Sequence, residues 1–575
     1  MQNKVIVPDT LDLRDHAELA LRHLLRIGNE KRGYAPFFLT DLTSSPPKME
    51  HGQYMYNATG RLVDAIILAR QMCGDTSGED TEEHYRRALV SYLSEKDGLL
   101  YRPESPYNTH HANMHDQATT LLGLTNWFLL TRDPKVKSYI HRLCEGLKKI
   151  CIKNRPYQYW YYPMVEYYSN GWGTRELSFP TKSVQTVADP AWTNGRQAAM
   201  ALVKYYEVTQ DELAWELVEN FINYTVHVSD AYRADGSFSF GPEFHNGHFH
   251  SRVGTLAGIL RFALLAEDAK LIEWGRRCYE WAKTKGTSFG WFPEGLYRNE
   301  QACETCGITD MIDAAISLAK AGYTEYWSDV ERFVRNHLVE SQLQDTSWVK
   351  TKGKGKPDTE WVSYRGVASR ALGAFAGWSL PNDFVSKIHH NWDIMTCCSC
   401  HGVRGLFLAW QSIVQKTPGK IYVNLLLNKD TPWVTVKSYL PYEGRVELIV
   451  KSAEELRVRK PDWVSETTLE IEVDGKKLER MKYCWLEGVS MVGEYIKIVG
   501  LRENQVVKLL FPVVHREEKE VAWGKEYELD WRGYTVVAIS PRGKTYPLYQ
   551  REHMLEEKAP TREKTFYTPS KAIYW

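Results

Sequence analysis

Two textures divide the chain. From Leu11 to about Leu380, apolar residues recur at spacings of three and four, the period of an amphipathic helix. Leu11 to Ile27 carries Leu at this spacing, and Pro8-Asp9-Thr10 supplies capping residues before it. Further helical runs begin near Tyr56, Thr81, His115, Lys135, Trp192, Asp211, His248, Ala269, Glu304, Thr324, Gly366 and Gly402. Runs this apolar, joined by short polar links, predict antiparallel helical hairpins. Past about Lys416 the period falls to two. Lys420 to Leu427, Trp433 to Lys437, Arg445 to Val450, Glu455 to Arg459, Leu469 to Val473, Tyr495 to Ile498, Val506 to Phe511 and Tyr534 to Ile539 read as strands.

Alternate helical runs share a second feature, a polar or aromatic cluster at the start. These clusters are His51 to Tyr56, His110 to His115, Asp189 to Asn194, His245 to His250, Cys303 to Cys306 and Cys397 to His401. The runs behind them are rich in Gly and Ala, as close packing around an axis requires. Six such runs predict six inner helices whose N-termini line one pocket, an (α/α)6 barrel; an open helical array is the alternative. The chain is therefore expected to be mainly α with an all-β C-terminal region. A barrel over residues 1–416 would be followed by a jelly-roll-like β-sandwich over 417–540. A polar and aromatic tail, 541–575, would pack on one of them.

A chain of 575 residues is too long for one core, in keeping with that division. Lys plus Arg and Asp plus Glu both number 72. No basic field is available for nucleic acid or an acidic membrane, so neither is an expected partner. The first residues are too polar for a signal peptide, and no apolar run is long enough to span a bilayer. Ten cysteines in that setting point to a reducing cytoplasm, where clustered Cys binds metal or does chemistry. The 20 Trp and 34 Tyr suit carbohydrate clefts and large helical cores equally.

Five of those cysteines fall in Cys303-Glu-Thr-Cys306 and Cys397-Cys-Ser-Cys-His401. Glu304, Cys306, Cys397 and Cys398 would make a tetrahedral site of one carboxylate and three sulfurs, with thiolate softness favouring Zn2+. Cys400 and His401 are competing ligands. A structural zinc pinning two helix ends, a vicinal Cys397–Cys398 disulfide and unliganded core cysteines are the other readings.

Glu-Thr-Cys-Gly opening one helix, then Cys-Cys-x-x-His-Gly-Val-Arg opening a later one, then a β region with Tyr442-Glu-Gly-Arg-Val, resembles glycoside hydrolase family 127, the β-L-arabinofuranosidases. The resemblance implies retaining hydrolysis of a terminal β-L-arabinofuranose from an oligosaccharide, with zinc on Glu304, Cys306, Cys397 and Cys398. It implies Cys397 as nucleophile and Glu294, or else Glu300, as acid/base. It matches His248, and less directly His115, to sugar-binding histidines. The sequence departs from the family where Ser399, Cys400 and His401 follow the cysteine pair, and where Met395 replaces a substrate-touching His of some members. A glycosidase of this scaffold acting on another sugar, and a non-catalytic zinc-stabilised carbohydrate-binding protein, are the alternatives.

The chemistry stands on its own terms. A free thiol titrates near ~8.5 and is mostly protonated at neutral pH, whereas zinc holds it as thiolate. Arg404 reads equally as an ion pair or a sugar contact. Glu243, Asp189 and Asp310 read as caps or hydroxyl acceptors, and Trp172, Trp192, Trp291 and Trp392 as core. Cys73, Cys144, Cys151, Cys278 and Cys484 also read as core. The sandwich face is a candidate homodimer interface or a brace for the barrel.

Overall fold

The computed structural model describes residues 4–52, 55–102, 112–155, 157–163, 167–168, 171–172, 196–241, 247–297, 302–350, 356–388, 392–481, 484–485 and 488–575. Glu300, His110, His111, Asp189, Trp192 and Glu243 lie outside them.

The helices are α1 (Leu13–Leu24), α2 (Met55–Cys73), α3 (Glu79–Ser91), α4 (Met114–Thr131), α5 (Pro134–Ile150), α6 (Arg196–Thr209) and α7 (Glu212–His227). After these come α8 (Phe249–Leu265), α9 (Ala269–Lys283), α10 (Thr305–Lys320), α11 (Tyr326–Phe333), α12 (Val367–Ala371) and α13 (Thr396–Ile413). Helices α2, α4, α6, α8, α10 and α13 pack each on the next, and α13 closes on α2. Outside them, α3, α5, α7, α9 and α11 pack against α2, α4, α6, α8 and α10, while α1 lies against α2 and α13. The ring is the expected (α/α)6 barrel.

Residue size decides how closely the inner helices approach. A Cβ at Gly60 would lie 2.3 Å from the carbonyl oxygen of Thr119, and one at Gly123 would lie 2.4 Å from that of Gly60. Any side chain at either position would push α2 and α4 apart. Outer helices begin on ordinary caps: Asp133, Asp211 and Asp268 accept backbone N–H groups of α5, α7 and α9. The N-cap residues of α10 and α13, Glu304 and Met395, make no side-chain cap bond. Their first turns are aimed at something else.

Two features of the barrel differ from the periodicity. Residues 28–50, read as continuous with the helical region, form short strands. Leu39–Asp41 and Lys48–Glu50 join Val362–Ser363 and Ile394–Met395 in a four-stranded sheet. Segments of two or three residues are too short to show a period. The last inner helix starts at Thr396, not near Gly402. Thr396 N–H and Oγ1–H donate to the carbonyls of Phe38 and Phe37, so tertiary contacts start the helix where Cys and Ser propensity alone would not.

After α13 the chain is β. Val414–Thr417, Lys420–Val423, Glu455–Arg459, Tyr495–Ile498 and Val489–Val492 make one sheet, antiparallel except between Lys420–Val423 and Glu455–Arg459. Lys429–Asp430, Val434–Ser438, Arg445–Val450, Val506–Leu510, Glu470–Val473 and Lys476–Lys477 make the second. Val446, Leu448 and Val450 alternate inward and are buried with Val423, Val458 and Ile496 of the first, giving the core of the sandwich. His515–Ala522, Lys525–Arg532 and Thr535–Ser540 form a further antiparallel sheet. Arg459 joins sandwich to barrel, pairing with Glu331, which also takes Arg335 at 2.9 Å. Further on, Thr561–Thr565 pairs antiparallel with Lys4–Pro8, and Trp575 enters the barrel.

Candidate metal centre and active site

The two cysteine segments meet. Glu304 stands at the N-cap position of α10 and Cys306 lies in its first turn. Cys397 and Cys398 lie in the first turn of α13, which packs beside α10. The four ligand atoms lie within 4.8 Å of one another, and all four residues are buried. Cys306 Sγ is 3.6 Å from Cys398 Sγ, which is 3.8 Å from Glu304 Oε1. A tetrahedral zinc with Zn–S near ~2.3 Å has edges of about 3.8 Å, so the donors fit the ion in type and spacing. Cys306, Cys397 and Cys398 are all free thiols, so the vicinal Cys397–Cys398 disulfide is not formed. Cys400 and His401 stay outside the group. Burial pushes the Cys400 thiol well up, as expected of a core cysteine.

The thiols share charge unequally. Hydrogen bonds from Cys306 and Cys398 hold Cys397 well below the ordinary thiol range. Burial pushes Cys306 and Cys398 well above it.

Glu304 is held on its other side by His248. The N–H of Ser251 donates to His248 Nδ1 at 3.2 Å, so the imidazole proton sits on Nε2, which is 3.1 Å from Glu304 Oε2. A histidine that orients a ligand carboxylate tunes the site it supports. Glu294 joins the pair: His248, Glu294 and Glu304 bring their ligand atoms within 4.8 Å of one another. Backbone bonds tie the Glu294 loop at both ends, with Phe249 N–H donating to Glu294 O at 2.7 Å and Glu294 N–H to Ala302 O at 2.8 Å. The loop therefore spans the starts of α8 and α10, and the half-buried Glu294 faces the same mouth as the thiols.

His115 enters through a residue that the periodicity hid. Arg61, on α2, donates to His115 Nε2 at 3.0 Å and points its other terminal N–H at Cys306 Sγ, 3.8 Å away. Burial works against its charge, but Cys306, Cys397 and Glu304 outweigh that and hold the guanidinium firmly protonated. Asp310, read as a cap or hydroxyl acceptor, instead joins two helices. His401 Nε2 donates to its Oδ1 at 2.8 Å, and His250 Nδ1 bonds its other oxygen. Arg404 is an ion pair, forked onto Asp64 at 2.7 and 3.1 Å. Met395 packs against the cysteines with Phe38, Leu39 and Trp378. No described helix is long and apolar enough to cross a membrane.

No family profile matches the sequence, and no curated protein matches it. Solved structures do. A β-L-arabinofuranosidase of glycoside hydrolase family 127 from Geobacillus stearothermophilus superposes with a TM-score of 0.57 at 14% identity, over 92% of this chain and 80% of its own. A second β-arabinofuranosidase of that family gives 0.59 at 14% identity, over 93% and 83%. A protein described as a glycoside hydrolase gives 0.57 at 12% identity, over 87% and 83%. Barrel and sandwich together, the chain has the fold seen in family 127 β-L-arabinofuranosidases.

Proposed function

We propose that the protein is a retaining, exo-acting glycoside hydrolase that releases terminal β-L-arabinofuranose from short oligosaccharides in the cytoplasm. Residues 1–416 are its catalytic unit, 417–540 the sandwich that braces it, and 541–575 a packing tail. The observation that carries the reading is the convergence of Glu304, Cys306, Cys397 and Cys398 from two adjacent helix starts, with Glu294 at the same mouth. Zinc on those four ligands would keep the sulfurs as thiolates at neutral pH.

Cys397 Sγ attacks the anomeric carbon. As the C–S bond forms, the C–O bond to the leaving sugar breaks, and Glu294 gives its proton to the departing oxygen. Glu294, now a carboxylate, takes a proton from water. That water attacks the same carbon, the C–S bond breaks, and the thiolate returns. Two inversions leave the configuration retained. His248 holds Glu304 in place and, with His115, faces the sugar.

Hydrolysis of p-nitrophenyl β-L-arabinofuranoside, set against other aryl glycosides, tests the reading. Glu294→Gln should lower turnover by about 10²–10⁴-fold, the usual worth of acid–base catalysis. Cys397→Ser should lose more, because an alkoxide at neutral pH is scarcer than a thiolate. Equal activity of both variants and wild type would refute the site. A second reading, the same chemistry on a different sugar, is favoured by Met395 and by His401, whose ring is committed to Asp310. It predicts turnover elsewhere in the panel.

A further inference from the structure

Arg61 is 1% exposed and lies in the second turn of α2. Among the described residues its guanidinium has two hydrogen-bonding partners, Cys306 and His115, and its Nε has none. Neither partner is a carboxylate. Of the other fully buried arginines, Arg102, Arg404 and Arg459 each grip an acid, Asp116, Asp64 and Glu331, and Arg252 donates to the Ser239 carbonyl at 3.3 Å. A buried guanidinium without a counter-charge is strongly unfavourable. The anionic chemistry that Arg61 touches is sulfur.

The charge of the ligand set closes the argument. Three thiolates and one carboxylate carry four negative charges, and a dication returns two. The excess is negative and buried. We propose that Arg61 is the counter-charge of this ligand set and, through its second N–H, the residue that fixes the tautomer of His115. A guanidinium only donates, so His115 Nε2 must accept, and the proton of the neutral ring sits on Nδ1. The ring is thereby set as a donor at Nδ1. Arg61 is a positioning residue: it acts through Cys306 and His115.

The inference rests on the proposed metal centre, and its test reads metal affinity apart from turnover. Zinc affinity is measured by chelator competition on wild type, R61M and R61K. The sulfur-to-cobalt charge-transfer band is recorded on the cobalt-loaded proteins, and KM is measured on the aryl arabinofuranoside. R61M should bind zinc roughly 10–100-fold more weakly, the usual cost of losing a partner of a metal ligand, and should shift the band. R61K keeps the charge but not the planar fork, so it should hold zinc close to wild type while KM rises several-fold. Folded R61M with wild-type zinc affinity and band overturns the inference. Should R61M not fold, R61K decides: wild-type KM overturns it, and raised KM with zinc retained supports it. A wild type that binds no zinc overturns this inference and the metal centre together. A wild type that binds zinc but cleaves no glycoside removes the proposed activity, and the zinc affinities still decide the role of Arg61.

Discussion

Arg61 and Arg404 are both buried on inner helices, α2 and α13, yet their surroundings could hardly differ. Arg404 is satisfied in every direction. Its fork closes on Asp64, its guanidinium lies 4.0 Å from the centre of the Trp575 ring, and Asn126, which bonds the Trp575 indole at 2.7 Å, also donates to Asp64. Nothing there is left for a ligand to complete. Arg61 instead bonds a thiol and a histidine, groups whose charge depends on what binds them, with Glu304 near enough to add to its field. The same residue type in the same ring thus does two jobs. One end of the barrel is closed by fixed ion pairs, and the other carries groups whose charge a metal and a substrate would set.

The contrast can be broken at the closed end first. Asp64→Asn would leave Arg404 buried without its acid, and breaking such a pair costs about 3–5 kcal/mol. Urea unfolding should show that loss while zinc affinity stays at the wild-type value. A parallel fall in zinc affinity would mean that the two ends are not separate.

A smaller effect lies just before α13. Asp393 is buried beside Asp41, and burial raises its carboxyl to about 7. Its Oδ2 accepts the Leu42 N–H at 2.7 Å. Unfolded, it would titrate near 3.8. Between those values the native state holds the proton that the unfolded chain has lost. Its contribution is therefore complete below about pH 4 and is lost as pH rises toward 7, by at most about 4 kcal/mol. Asp393→Asn should flatten this part of the stability–pH curve, measured by denaturant unfolding at a series of pH values. An unchanged slope would show that Asp393 is ionised throughout.

The smallest effect belongs between the two ends. His401→Asn removes one of the two imidazoles that hold Asp310, and a buried acceptor losing a partner costs about 1–3 kcal/mol. Thermal unfolding should register the loss with zinc stoichiometry unchanged. A loss of zinc would place His401 in the metal centre after all.

The meeting of Glu304, Cys306, Cys397 and Cys398 in one buried group was legible because its chemistry is rare. Three cysteines and a glutamate in two short segments have few other uses, and both segments precede apolar runs. The ring was legible from period and from the small residues behind each cluster. Arg61 was not, because one arginine in an amphipathic run reads as the solvent face, and only the closed ring turns that face inward. The Asp310 bridge was hidden for a related reason: His250, Asp310 and His401 come from three helices, and alone Asp310 resembles a cap and His401 a metal ligand. Leu39–Asp41 pairs with nearby Lys48–Glu50 and with Ile394–Met395 more than 300 residues away, and strands of two or three residues are too short to show a period. The early start of α13 belongs with them, since the Phe37 and Phe38 carbonyls decide it.

The closure of the lower barrel also has a temporal side. The N–H of Ile573 bonds Gln71 across 502 residues of chain, and Trp575 reaches Asn126 across 449. During synthesis α2 and α4 emerge long before these partners exist. Until residues 573–575 arrive, Asp64, Asn126 and Arg404 surround an unfilled hole. The barrel's last stitch is therefore a late event of high contact order, and nascent chains would expose this polar floor to water or to chaperones from the emergence of α13 until residues 573–575 follow.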